Sequence, residues 1–202
     1  MADGDGPNGP GGRETIARVF AESIRLHQAT AALDPEPVLA AAELVLGALG
    51  RGGKVLAFGN GGSAADAQHF AAELVGRYRA ERRGLAAIAL TTDTSAITAI
   101  ANDYGYERVF ARQIEALGRL GDVAIGITTS GTSPNVVAGL EAALARGIAT
   151  VALTGGDGGR VAALAHAPIV VPGTVTARIQ EVHRTLLHAI CELIELRIGS
   201  TQ

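Results

Sequence analysis

Apolar residues near the start of the chain recur at helical spacing. Ile16, Val19, Phe20, Ile24 and Leu26 predict a helix over 14–32. Pro35 and Pro37 interrupt it. A second apolar helix is predicted over 38–49, stopped by Gly50 with Gly52 and Gly53 just beyond. The pattern then changes. Lys54-Val55-Leu56-Ala57-Phe58 is a short apolar run that meets Gly59, as a strand buried on both faces does. Further strands are predicted over 85–90, 123–128, 149–153 and 168–171, with Pro168 at the first position of its strand, where a proline is tolerated. Helices are predicted over 63–78, 94–101, 107–117, 134–146, 160–164 and 178–198. Strand–helix alternation gives an α/β fold, a parallel sheet covered by helices on both faces, preceded by a helical N-terminal segment.

Composition narrows the function. Of 202 residues, 48% are hydrophobic, enough to fold the bulk of the chain around a core. Residues 1–13 are rich in Gly, Pro, Asp and Asn and read as a disordered tail, with 14–202 as one domain. The net charge of −3 and the absence of Trp argue against a nucleic-acid partner, which needs a basic surface or stacking aromatics. The one cysteine, Cys191, excludes an internal disulfide and any CxxC motif, and its apolar helical setting predicts a buried thiol. No apolar run approaches the ~18 residues of a membrane span. The N-terminus has no signal-peptide order, so a cytoplasmic protein with no membrane partner is expected. Lys54 is the only lysine, which removes Schiff-base chemistry unless Lys54 performs it. The last helix is apolar over more than one core-facing stripe requires, which predicts a homo-oligomer.

Two small-residue loops follow predicted strands and open predicted helices. The first is Gly59-Asn60-Gly61-Gly62-Ser63. Its glycines let backbone approach a ligand, and the helix start offers free N–H groups that suit phosphate. The second is Thr128-Thr129-Ser130-Gly131-Thr132-Ser133, five hydroxyls and one glycine where ordinary turns use one hydroxyl cap. Loops of this kind at strand ends fit the ligand crevice of an open α/β sheet. Gly59-x-Gly61-x-x-Ala64 formally matches a dinucleotide fingerprint. The acidic residue expected at the end of the next strand, about 20 positions on, comes only at Asp93, however, and a Walker loop is absent. A small sugar phosphate suits the second loop better.

Candidate chemistry sits on two helices. His69 and Glu73 are four apart and share a helical face. Gln180, His183 and His188 lie on the last helix, where Gln180 and His188 can flank one pocket two turns apart. His with a carboxylate suits Zn²⁺, and the same groups can move protons.

These residues resemble the phosphoheptose (sedoheptulose 7-phosphate) isomerase family. The resemblance rests on five stretches in order: 59–74, Ala101-Asn102-Asp103-Tyr104-Gly105-Tyr106, 128–133, Leu153-Thr154-Gly155-Gly156-Asp157-Gly158-Gly159, and Arg178-Ile179-Gln180-Glu181-Val182-His183 with His188 beyond. It spans about 15–198. It implies the SIS fold, a three-layer α/β sandwich with a central parallel sheet, and a homotetramer with sites at subunit interfaces. It implies isomerisation of D-sedoheptulose 7-phosphate to D-glycero-D-manno-heptose 7-phosphate, the first step of nucleotide-activated heptose biosynthesis. Glu73 and His188 would be the acid/base pair. Ser63, Thr128, Ser130 and Ser133 would hold the phosphate within a site that includes Asn60, Gly61 and Gly62. Thr129, Gln180, Asn102 and Asp103 would also contact substrate. One Zn²⁺ per subunit would be held by His69, Glu73, Gln180 and His188.

Ala177 departs from the pattern, standing where some relatives carry a substrate-contacting Asp. A non-catalytic sister group, the initiator-associating proteins of bacterial replication, is also similar to this chain. It lacks the catalytic Glu and the final-helix His, so a binding or protein-partner module is the alternative that Glu73 and His188 argue against.

Overall fold

The computed structural model describes residues 9–199. Helix α1 (Pro10–Ala31) begins earlier than its periodicity predicted, because Pro10 takes a first-turn position where its missing N–H had no intrahelical role. The helical start replaces the last residues of the expected tail, and residues 1–8 lie outside the described ones. Then follow α2 (Glu36–Gly50), β1 (Val55–Gly59), α3 (Gly62–Val75), β2 (Ala87–Ala89), α4 (Thr94–Tyr104) and α5 (Val109–Leu117). The second half runs β3 (Val123–Thr128), α6 (Pro134–Ala145), β4 (Ala149–Gly155), α7 (Gly159–Ala162), β5 (Ala167–Val171) and α8 (Thr176–Gly199). Part of the helix predicted over 107–117 is a 3-10 turn, Tyr106–Arg108, ahead of α5.

All five strands are parallel, in the order β2-β1-β3-β4-β5. Alternate side chains feed two separate cores. Val55, Ala57, Ile125, Ile127, Val151 and Leu153 pack on the side of α2, α3 and α8. Leu56, Phe58, Ala124 and Ala152 pack against α5, α6 and α7 on the other. A strand that must satisfy both layers cannot alternate apolar with polar, which is why β1, β3 and β4 read as largely apolar runs, interrupted only by buried threonines such as Thr150 and Thr154. The result is a three-layer sandwich.

The sheet edges differ from the interior. β2 keeps only three residues. β5 begins at Ala167, so Pro168 is its second residue rather than its first, and it sits on an edge strand, where a missing N–H is tolerated.

Helix α3 stops at Val75 rather than continuing to 78. Gly76 takes the C-cap, and the chain runs to β2 without regular structure. One side chain gathers much of this segment. The Glu195 carboxylate accepts from Tyr78 N (3.1 Å), Arg79 N (3.0 Å) and Ala80 N (2.8 Å), and from Arg82 Nε (3.1 Å). Burial alone would raise the Glu195 pKa. The three backbone donors and Arg82 outweigh it and hold the carboxyl below its ordinary value.

Helix α1 rests on α8. Arg178 Nη1 donates to Val19 O (2.9 Å), and His27 Nε2 meets Thr185 Oγ1 (3.0 Å). Its other side carries Ile16, Phe20 and Ile24, all exposed, Phe20 by 65%. An apolar groove of about 890 Å³ runs beside it, lined in part by Leu33, Leu39, Pro168, Leu186, Leu193 and Leu196. Among the described residues, no helix is long and apolar enough to cross a membrane.

Candidate active site

The strand order reverses between β1 and β3, because the chain steps from β1 outward to β2 and then back past β1 to β3. Ligands of open α/β sheets bind outside the strand ends at this reversal. Both small-residue loops emerge there, the first after β1 and the second after β3.

In the second loop the hydroxyls form a connected group. Thr128 Oγ1 lies 2.8 Å from Ser133 Oγ and 3.3 Å from Ser130 Oγ. Ser130 Oγ also accepts from Thr132 N (3.3 Å) and Thr132 Oγ1 (3.2 Å). Thr129, part-exposed, stands beside this group without joining it. Ser133 is the N-cap of α6, yet its hydroxyl turns to Thr128 instead of capping the first turn, and Pro134 supplies no N–H. The Val136 and Val137 N–H groups donate to Ser133 O, so of the first turn the Asn135 N–H is left for an anion. Gly131 is required at φ +70°, where a Cβ would also collide with Gly158 O.

The first loop is built the same way. Ser63 is buried inside the first turn of α3, whose N-cap is Gly61, and no side chain caps the helix. Gly62 lies against Gln180, and a Cβ there would stand 2.6 Å from Gln180 Nε2. Asn60 reaches across to the second loop. It exchanges two amide–carbonyl bonds with Asn135, each 2.8 Å, and accepts from the Tyr106 hydroxyl at 3.3 Å. Asn135 and Tyr106 were not singled out from the sequence. Asn135 had a legible signal, as a polar residue in the first turn of the helix that the hydroxyl loop opens.

The second cluster joins α3 to α8. His69 Nε2 and His188 Nε2 are 2.7 Å apart, and His69 Nε2 is 3.6 Å from Glu73 Oε1. One donor atom from each of these residues lies within 4.8 Å of the others, forming a group able to hold a metal ion. The Tyr78 ring rests beside His188, centroids 5.4 Å apart. Gln180 is placed two turns away along α8, facing Gly62, so the structure gathers three of the four expected ligands and sets the fourth at the first loop.

His183, on the same helix, is fully buried instead. Its Nε2–H donates to Thr154 O at 3.1 Å, and burial depresses its pKa despite that bond and the nearby Asp66 carboxylate. Asn102 and Asp103 are exposed at the end of α4, where Asn102 Nδ2 donates to Asp103 Oδ1 (2.8 Å). Ala177 is exposed in the first turn of α8. Cys191 is buried as expected, its thiol pushed up to about 12, mainly by burial and then by the Glu73 charge.

Comparison with known proteins agrees with this architecture. The SIS domain family matches residues 19–155. A phosphoheptose isomerase from Aquifex aeolicus is 56% identical over 182 residues, covering 90% of this chain and 95% of that protein. The solved phosphoheptose isomerase from Neisseria gonorrhoeae superposes with a TM-score of 0.86 at 53% identity, covering 91% of this chain and 98% of that one. The enzyme from Francisella tularensis gives a TM-score of 0.88 at 38% identity, with 92% and 98% covered. A chain that shares both sequence and fold with these enzymes over nearly its whole length is a member of the phosphoheptose isomerase family of SIS-domain proteins.

Proposed function

We propose that this protein is an aldose–ketose isomerase that converts D-sedoheptulose 7-phosphate to D-glycero-D-manno-heptose 7-phosphate, acting as a cytoplasmic homotetramer. The observation that carries the reading is the convergence of His69, Glu73 and His188 from two helices, on a fold whose switch point presents a hydroxyl cradle.

Ser63, Thr128, Ser130 and Ser133 hold the phosphate with the first-turn N–H groups of α3 and α6. Asn60, Gly61 and Gly62 shape the first wall, and Gln180, Thr129, Asn102 and Asp103 contact the sugar. Glu73 removes a proton from C1 of the ketose. His188 delivers a proton to O2, giving an enediol, and then takes one from O1. Glu73 returns its proton to C2, and the aldose forms. General acid–base help of this kind is worth ~10²–10⁴-fold.

The two imidazoles and one carboxylate fit a zinc ion, with Gln180 as the expected fourth ligand. Bound there, zinc would polarise the substrate oxygens.

Distance supports a shared site. Glu73 is eleven residues into α3 from Gly62, about 16 Å at ~1.5 Å per residue. A seven-carbon chain with bonds of ~1.5 Å spans about 10 Å. A cradle from one copy and an acid/base pair from another would bring the two within reach. The exposed Ile16, Phe20 and Ile24 offer apolar surface for such contacts.

The test is proton NMR of sedoheptulose 7-phosphate incubated with the protein and Zn²⁺. An aldose signal is expected. Its absence, with a folded oligomer, would discard the isomerase and leave a phosphosugar-binding module.

A further inference from the structure

Arg82 has no part in the chemistry above, yet it is among the most buried charges in the protein. Its side chain is 3% exposed and that of its partner Glu195 is 8% exposed. Nε pairs with Glu195 Oε1 at 3.1 Å. The remaining nitrogens turn to backbone carbonyls. Nη2 donates to Glu73 O at 2.7 Å, and Nη1 donates to Leu74 O (2.9 Å), Gly76 O (3.3 Å) and Arg83 O (3.1 Å). Glu73 O and Leu74 O are among the last carbonyls of α3, which the helix itself leaves without partners. A cation also suits that end of the helix dipole.

Glu195 completes the arrangement from the other side. It sits on α8 two turns beyond His188 and binds the backbone N–H groups of Tyr78, Arg79 and Ala80. Tyr78 in turn lies against the His188 ring. One ion pair therefore joins the end of the helix bearing Glu73, the segment bearing Tyr78, and the helix bearing His188. Stability alone is a poor reason for it. Buried ion pairs are often matched or bettered by apolar residues of the same volume. No apolar pair could bind four carbonyls and three N–H groups in one fixed geometry.

We infer that Arg82 and Glu195 are a positioning pair for the isomerase, setting the separation of Glu73 and His188 and, with it, the geometry of the metal-binding triad. The inference rests on the acid/base roles proposed above. Residues that orient ligands and catalytic groups without touching substrate are typically worth ~10–100-fold in metal affinity or activity.

The experiment uses the full chain with Arg82→Lys and Glu195→Gln, beside Glu73→Gln. For each, kcat and KM for sedoheptulose 7-phosphate are measured. Zinc affinity of the metal-free protein is read by competition with a chromophoric chelator. Both pair variants are expected to lose roughly 10–100-fold in kcat and in zinc affinity, with KM within about twofold. Arg82→Lys keeps a buried cation opposite Glu195 but lacks the fork that reaches four carbonyls, so it decides the matter if Glu195→Gln fails to fold. A lower melting temperature with unchanged kcat and zinc affinity would reduce the pair to a structural role and overturn the inference.

Wild type supplies a further arm that needs no variant. Coupling is reciprocal, so zinc should slow hydrogen exchange at the Tyr78, Arg79 and Ala80 amides by about fivefold or more. Unchanged exchange on zinc saturation would also overturn the pair. Wild-type turnover by Glu73→Gln would refute the acid/base assignment instead, while the zinc and exchange readouts still judge the pair.

Discussion

His69 Nε2 and His188 Nε2 lie 2.7 Å apart, although the residues are 119 positions apart in sequence and sit on different helices. Two imidazole nitrogens this close can share one N–H, and a small outward rotation of the rings would let both bind one metal ion. Zinc is therefore expected to stabilise the fold, by about 2.7 kcal/mol at a free concentration 100 times its Kd. Thermal melts with and without zinc measure this. His188→Ala should erase the gain, and equal melting temperatures for wild type with and without zinc would count against the triad as a metal site.

Glu73→Gln keeps the side chain's shape and removes its basicity. Turnover should fall ~10²–10⁴-fold while KM stays near wild type, because the phosphate loops are untouched. Steady-state kinetics with NMR detection decide it.

Thr128 is buried and bonds to both Ser130 and Ser133. Thr128→Val keeps the volume and loses the hydroxyl that orders the cradle. A hydrogen-bond loss of about 1.4 kcal/mol raises KM roughly tenfold, with kcat little changed. A fall in kcat at constant KM would place Thr128 in the chemistry and not in phosphate binding.

Acid should destabilise the protein in two windows. The folded-state pKa of His183 is lowered from 6.5, chiefly by burial, so below pH 6.5 the unfolded chain binds a proton that the folded chain refuses. Stability is full above that value and declines as pH falls toward the depressed one. Glu195 behaves alike lower down. Its carboxyl is held below the ordinary 4.5, and the stability it contributes is lost as pH drops through its folded value. Denaturant unfolding at stepped pH reads both. His183→Gln should flatten the upper window alone, and an unchanged slope there would assign it to another group.

Phe20 is 65% exposed on the outer face of α1. Phe20→Glu should leave the subunit folded and shift sedimentation toward smaller species, since each apolar side chain removed from an interface loses roughly 1.5–3 kcal/mol of burial. Unchanged sedimentation would place the subunit contacts elsewhere.

The sequence disclosed the layered core because β1, β3 and β4 are buried on both faces and carry no charged position, only the buried threonines Thr128, Thr150 and Thr154. It also disclosed the two loops, whose small residues have few other uses at a strand end. It did not disclose the segment after Val75. That stretch is ordered by Glu195, more than a hundred positions away, and no local periodicity records such a contact. The same holds for Asn60 with Asn135, and for Arg184 with the buried Asp66, where Nη2 comes within 2.5 Å of Oδ1. Asn102 and Asp103 were legible only through resemblance. In a single chain they bond to each other and face outward.

The ends of the sheet govern how copies of this chain can meet. β2 offers three residues of backbone, and β5 carries Pro168. Neither is a useful template for adding another strand, the generic route by which exposed sheets nucleate fibrils. Any association between copies would be left to helical faces, where fit depends on particular side chains. A crowded cell can then concentrate this enzyme with little risk of strand-by-strand growth.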